Sequence, residues 1–345
     1  MPAQPIAITS TGLVTSVGLS APATCAAIRA GISNPSETRF MGTDGEWVMA
    51  HQVLLDQPWR GRTKLVKMAA MAISEALAPL GGTESESLPL LLCVAEQDRP
   101  GRLEGLDDIL FKELEGELQV RFHPTLSSME PQGRIGVAVA LAQARKLIHE
   151  QHQARVLIAA TDSLLIWPSL QHYQETGRLL SATNSNGFIP GEAAGALLIT
   201  AAGSNTAGQL ICSGVGYGVE PAPVESEQPL RAEGLTQAIK AALADAGCGM
   251  GDLDFRITDN SGEQYYFKEA ALALSRTLRT RKEEFDIWHP ADCIGEVGAA
   301  IGAVIVAKAL AAGRKSYTRG HNILVHAGLD AGKRTAAVLR YSGAA

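Results

Sequence analysis

Apolar positions along the chain fall into a few short continuous runs separated by longer mixed stretches. Residues 136–148 (Gly-Val-Ala-Val-Ala-Leu-Ala-Gln-Ala-Arg-Lys-Leu-Ile) are apolar on nearly every side when wound at helical spacing. That pattern predicts a buried helix. The apolar run 156–160 follows, the pattern of a strand covered on both faces. A second pair recurs near the end of the chain, a small-residue helix over 298–312 and an apolar strand over 323–327. Both pairs read as the centre of a layered α/β protein.

The remaining pattern fills in around these two centres. Strands are expected over 6–18 (running into a glycine turn), 88–95, 119–131, 210–219, 255–259, 285–288 and 335–341. Helices are expected over 22–30 with Gly31 as its stop, 63–80 ended by Gly81-Gly82, 169–177, and 230–246 ended by Gly247. Two further helices fall over 102–117 and 266–278. The 102–117 helix is charged, with apolar Leu106, Ile109, Leu110 and Leu114, so it belongs at the surface. Residues 34–60 are polar, marked by Pro and Gly, and read as irregular. The second half repeats the element order of the first, which divides the chain into halves 1–205 and 206–345 around one shared core.

Composition narrows the classes. The 345 residues are 46% hydrophobic and 19% charged, as in a globular protein, with few aromatics and 35 glycines. A net charge of −6 and no basic stripe argue against nucleic-acid binding. The first residues lack the basic and apolar regions of a signal peptide. No run approaches the roughly 18 apolar residues of a membrane span. The five cysteines, at 25, 93, 212, 248 and 293, are odd in number and form no Cys-x-x-Cys pair. A reduced, cytoplasmic setting without metal or cofactor is the expectation.

Three segments carry a family resemblance. Thr11-Gly-Leu-Val-Thr-Ser-Val-Gly18 is similar, in shortened form, to the opening of the β-ketoacyl synthases of the thiolase superfamily. Ala160-Thr161-Asp162-Ser163-Leu164 resembles their Gly/Ala-Asp-Ser strand end. Gly187-Phe-Ile-Pro-Gly-Glu-Ala-Ala-Gly195 resembles their Gly-Phe-x-x-Gly-Glu-Gly-Ala-Gly hairpin. The resemblance covers nearly the whole chain. It implies a thiolase-like five-layer α/β/α/β/α fold built from two similar halves, and a broad, helix-lined surface for a homodimer or a different protein partner.

It also implies a chemistry, and here the chain departs from the pattern. A condensing enzyme acylates a cysteine at a helix N-terminus and uses two histidines, a lysine and a Gly-Phe-Gly-Gly loop. Counting along the resemblance, the cysteine position falls on Arg134 or one of its neighbours, Gly133 and Ile135. The first histidine segment reads Thr258-Asp259-Asn260-Ser261-Gly262-Glu263. The second histidine position is Gly295 or Glu296, and the lysine position falls near His289–Pro290. The late loop reads His326-Ala327-Gly328-Leu329-Asp330. Arg134, Gly133, Asp259, Ser261, Gly295, Glu296 and His326 are therefore the candidate vestigial site, with no catalytic residue assigned. A buried arginine needs a carboxylate, and Glu296 or Asp259 is the expected partner. An acyl tunnel ending at residue 134 is expected to be narrowed or closed.

Other signals have plainer readings. Cys293 reads as a buried structural thiol, and His326 as structural or exposed. His149 and His152 lack a third metal ligand and read as solvated. The glycines of 187–195 lack the Lys-Ser/Thr of a phosphate loop. Two functions stand against each other. One is a non-catalytic protein that binds a partner, either a chain-length-factor-like companion of an active synthase or an accessory to a bacterial secretion effector, with acyl carrier protein a further possible partner. The other is an acyltransferase with relocated residues, using Ser261 or Cys293.

Overall fold

The computed structural model describes residues 4–43, 45–81, 88–203 and 207–343. Gly82, expected to help stop a helix, and the expected boundary between the halves at 205/206 lie outside the described residues. The first half contributes strands β1 (Ile6–Val14), β2 (Ser36–Met41), β3 (Trp47–Ala50), β4 (Leu90–Cys93), β5 (Ser128–Glu130), β6 (Arg155–Ser163) and β7 (Glu192–Ala201). The second contributes β8 (Gln209–Val219), β9 (Phe255–Thr258), β10 (Ile287–Trp288), β11 (Asn322–Gly328) and β12 (Lys333–Ser342).

All but β2 and β3 join one ten-stranded sheet, in the order β10-β9-β11-β12-β8-β1-β7-β6-β4-β5. Read outward from its centre, β1-β7-β6-β4-β5 on one side corresponds strand for strand to β8-β12-β11-β9-β10 on the other. The directions correspond too. In each half the two innermost pairings are antiparallel and the two outer ones parallel. The halves meet where β1 pairs with β8, antiparallel over three residues, from Ile6–Cys212 to Ile8–Leu210.

Nine helices occur among the described residues: α1 (Ala21–Arg29), α2 (Gly61–Leu77), α3 (Ile109–Leu118), α4 (Gly136–His149), α5 (Trp167–Glu175), α6 (Glu233–Ala246), α7 (Gln264–Thr277), α8 (Ala291–Ile294) and α9 (Ile301–Arg314). The strands are buried on both faces, and the side to which each residue points decides which layer it joins. Leu90, Leu92, Leu157 and Ala159 face outward and pack under α2 and α3. Leu324, Ala336 and Val338 pack under α6 and α7. The opposite strand faces, with Leu91, Ile158, Phe255, Ile257 and Leu339, close on α4 and α9 in the middle. This is the five-layer thiolase-like arrangement. The central helices touch where a Cβ on Gly302 would lie 2.7 Å from Val137 Cβ, so the absence of a side chain at 302 permits the contact.

Several expectations need correction. Residues 34–60 are not irregular throughout: Ser36–Met41 and Trp47–Ala50 form an antiparallel hairpin. Thr38, Phe40, Val48 and Ala50 turn inward, Phe40 and Val48 packing near Leu164, Tyr173 and Phe188, while apolar Met41, Trp47 and Met49 face outward, so the apolar pattern does not mark one face. The stretch 119–131 becomes a strand only at Ser128–Glu130. The helix expected from 102 begins at Ile109. The α4 helix is not covered on all sides, for Ala138, Val139, Ala142 and Gln143 form a half-exposed stripe.

Candidate functional site

The chain leaves β5 at the sheet edge, makes a tight turn over Gly133–Ile135, and enters α4. Gly133 holds φ +50, a conformation L side chains avoid. A Cβ there would also collide with Glu96 Oε2. The turn delivers Arg134 into the interior, 7% exposed. At the positive end of a helix dipole an arginine is disfavoured, and its surroundings compensate.

Arg134 Nη1 donates to Glu296 Oε2 at 3.2 Å, and Nη2 to Asp330 Oδ1 at 2.6 Å and Tyr266 Oη at 2.8 Å. Its Nε lies 3.8 Å from Asp259 Oδ2. The guanidinium also stands over the Tyr266 ring, 4.8 Å from its centroid. The cluster continues through Asp330, which accepts from Arg178 Nη1 at 2.7 Å and from the Tyr266 hydroxyl. Arg178 in turn grips Glu263 with two bonds of 2.8 Å. Four carboxylates therefore surround two guanidiniums, all largely buried.

That imbalance sets the titration. Burial pushes Glu296 up to about 7, against the pull of Arg134, and Asp259 is also raised by burial. Asp330 goes the other way. Arg134 and Arg178, aided by the Tyr266 hydrogen bond, hold it well below the usual carboxylate range. A proton in this cluster therefore resides on the Glu296–Asp259 side.

Another buried arginine, Arg99, stands beside this cluster. Arg99 reaches Asp162 Oδ2 through Nη1 at 2.7 Å and Glu96 through Nε and Nη2 at 3.1 and 2.6 Å. Asp162 Oδ2 also accepts from Ala299 N at 2.7 Å, at the turn that opens α9. Sequence reasoning found Arg134, Glu296 and Asp259, but not Asp330, Tyr266, Arg178, Arg99 or Glu96 as their companions. No local signal marks them: Arg178 and Asp330 are 152 residues apart.

Among the other candidates, Ser261 joins the site, its hydroxyl donating to Glu296 Oε2 at 3.1 Å. Gly295, at φ +73, adjoins Glu296 but faces the ring of His51 and the carbonyl of Ile189. His51 was not singled out from sequence; burial holds its imidazole down at about 4. His326 lies apart from the Arg134 bonds. It shares the strand face of Leu324, under α6, and burial with Arg256 and Arg334 nearby lowers it to about 3. His149 bonds the carbonyl of Pro5. Among the described residues no group of three His, Cys, Asp or Glu is placed to hold a metal.

No thiol here is poised for acylation. Cys93 packs against Gly136 at the start of α4, and burial keeps it well above the usual thiol range. Cys293 is raised by burial as well. Such thiols remain protonated and weakly nucleophilic. Between α4, α9, β11 and β12, at Arg134, the interior leaves a cavity of about 30 Å³, room for a water and not for an acyl chain. On its outer side the Arg178–Asp330 pair borders an open, charged cleft of about 300 Å³.

Neither a known protein family nor any curated protein matches the sequence. Solved structures do. The complex AntDE:AntF, a type II polyketide synthase acyl-carrier protein with its ketosynthase bound to the hexaketide, matches with a TM-score of 0.81 at 15% identity, over 99% of this chain and 100% of that one. The ishigamide ketosynthase/chain length factor matches with a TM-score of 0.78 at 16% identity, over 99% and 100%. The ketosynthase ApeO with its chain length factor ApeC, from Xenorhabdus doucetiae, matches with a TM-score of 0.73 at 13% identity, over 98% of each. This is a ketosynthase fold. Within that fold Arg134 occupies the turn into the first central helix, and the charged cluster closes the space beside it. Among the described residues no helix is long and apolar enough to cross a membrane.

Proposed function

We propose that this chain is a non-condensing protein of the ketosynthase fold that works by binding a protein partner, as a chain length factor sits beside a ketosynthase. The observation that carries this reading is the saturated Arg134 cluster. The turn into α4 holds a guanidinium bound to Glu296, Asp330 and Tyr266, where condensation requires a thiolate. Two of the matching structures are described as a ketosynthase with a chain length factor, which supports a paired role. The surface offers a place for it. The sheet ends at β5, whose outer edge is unpaired among the described residues. Beside it run the half-exposed stripe of α4 and the exposed Tyr217 and Val219 of β8. An open strand edge next to an apolar strip is a template for another chain.

One observation favours a second reading, an acyltransferase with relocated residues. The Ser261 hydroxyl donates to Glu296, whose raised pKa gives it the character of a base near neutral pH. One experiment separates the two. The protein is incubated with acyl-carrier protein and acyl-CoA thioesters and its intact mass measured. In parallel, Tyr217→Asp with Val219→Asp is compared with wild type in pull-downs from native extract, and the captured protein is identified by mass spectrometry. A ketosynthase bearing an active cysteine, captured by wild type and lost in the variant, supports pairing; capture of a secretion effector would place the partner elsewhere. A stable acyl adduct on Ser261 or on any cysteine sinks the non-condensing reading.

A further inference from the structure

A cleft lies away from the Arg134 cluster, and this inference stands independently of the proposed pairing. It has a volume of about 740 Å³ and runs between the segment 52–61 and the segment 163–168, with Phe40 of β2 along one side. Glu192, at the start of β7, forms its floor and is 3% exposed. Three groups fix that carboxylate: Val53 N at 2.9 Å, the Ser163 hydroxyl at 3.0 Å, and Lys64 Nζ. The floor is thus a buried and fully satisfied polar site, not a collapsed loop.

Two kinds of lining face each other above it. The walls are apolar and aromatic. Trp167 is exposed and stacks on Phe40 at 5.9 Å between centroids, and Trp59 and Leu165 also line the cleft. The cations are Lys64, Arg39 and Arg60. Lys64 has three N–H donors and uses one on Glu192. Arg39 lies over the Phe40 ring at 5.3 Å. The acidic groups are Glu192, already neutralised by Lys64, and the exposed Asp56 at the rim.

We infer that this cleft binds a small amphipathic anion: an aromatic or aliphatic body against Trp59, Trp167 and Phe40, with a carboxylate or sulfonate-like head among Arg39, Arg60 and Lys64. A concave site with aromatic walls and a few convergent charges is the usual form of a small-molecule site. Guanidiniums are suited to a planar, bidentate anionic head. Asp56 disfavours a second negative charge, which argues for a monoanion. The head and the body are both required, because the walls alone are open to water and the cations alone are solvated.

The test uses the whole chain and the two tryptophans of the cleft. Trp59 and Trp167 serve as donors for energy transfer to 8-anilinonaphthalene-1-sulfonate, and decanoate and decanol compete with it. The expected result is saturable one-to-one transfer, reversed by decanoate and not by equal decanol. Replacing both exposed arginines, Arg39→Gln with Arg60→Gln, weakens binding about tenfold or more, as loss of charge-assisted contacts does, without moving the thermal midpoint. Trp167→Ala, which removes one wall, weakens it as well. Absence of saturable transfer, equal displacement by decanol, or unchanged affinity in the double arginine variant overturns the assignment.

Discussion

Gly133 and Gly298 stand at equivalent places in the two halves, each opening a short tight turn into a central helix, with φ of +50 and +55. Each lies against a carboxylate, Glu96 for Gly133 and Asp162 for Gly298. A single side chain, Arg99, holds both carboxylates. The entrances to α4 and α9 are therefore tied together by one buried ion cluster, although they come from different halves of the chain.

Gly133→Ala should destabilise the protein more than Gly247→Ala. Both glycines have positive φ, at +50 and +67, which strains any L side chain by about 1–2 kcal/mol. Only at Gly133 does the new methyl also meet Glu96, whereas open space surrounds Gly247. Urea unfolding of the two variants makes the comparison, and equal losses would remove the role assigned to the Glu96 contact.

Arg134→Met should cost about 3–5 kcal/mol, the usual loss when one partner of a buried ion cluster is removed. The variant leaves Glu296 and Asp259 without their cation, while Asp330 keeps Arg178. Arg134→Cys should suffer similarly and acquire no acyl adduct from acyl thioesters. A loss below about 1 kcal/mol would mean the cluster is water-screened in solution.

Glu296 gives a pH test whose sign is fixed. Its folded value near 7 lies above the ordinary 4.5. The folded protein thus keeps a proton between these values that the unfolded chain releases. The contribution to stability is full below about 4.5 and is lost as pH rises through 7. His51 and His326, lowered to about 4 and about 3, act oppositely, losing stability as pH falls below 6.5, so the wild-type curve mixes both signs. The difference between Glu296→Gln and wild type isolates the carboxyl. It should rise in favour of the variant from pH 5 to pH 8. A difference constant across that range would place the proton elsewhere in the cluster.

The thiols should react slowly with iodoacetamide at pH 7.5 in the native state. Burial lifts Cys25 to about 11 and Cys212 to about 12, and raises Cys93 well above the usual thiol range. Cys248, less buried than the other four, should be labelled first. Rapid modification of Cys93 or Cys293, located by peptide mapping, would contradict the assignment of these residues to the core.

The sequence by itself determined the centre of this protein. The runs at 136–148 and 156–160, and their counterparts at 298–312 and 323–327, point to a place in the core, because apolar surface is most stable out of water. Pattern at that scale placed both central helices and the repeat of the halves. It also placed an arginine where a buried group needs an acid, and two of the acids nearby. Tertiary structure alone decided the rest. That Asp330 and Tyr266 share Arg134, and that Arg99 joins Glu96 to Asp162, depends on how two halves close on each other, and charged side chains carry no periodicity that announces a distant partner. The hairpin at Ser36–Met41 and Trp47–Ala50 was hidden because its inward face includes polar Thr38 while Met41, Trp47 and Met49 face outward. The exposed stripe of α4 was hidden for the converse reason. A run of alanine and valine reads as buried on every side, while only the packing of the neighbouring elements determines which side is left uncovered.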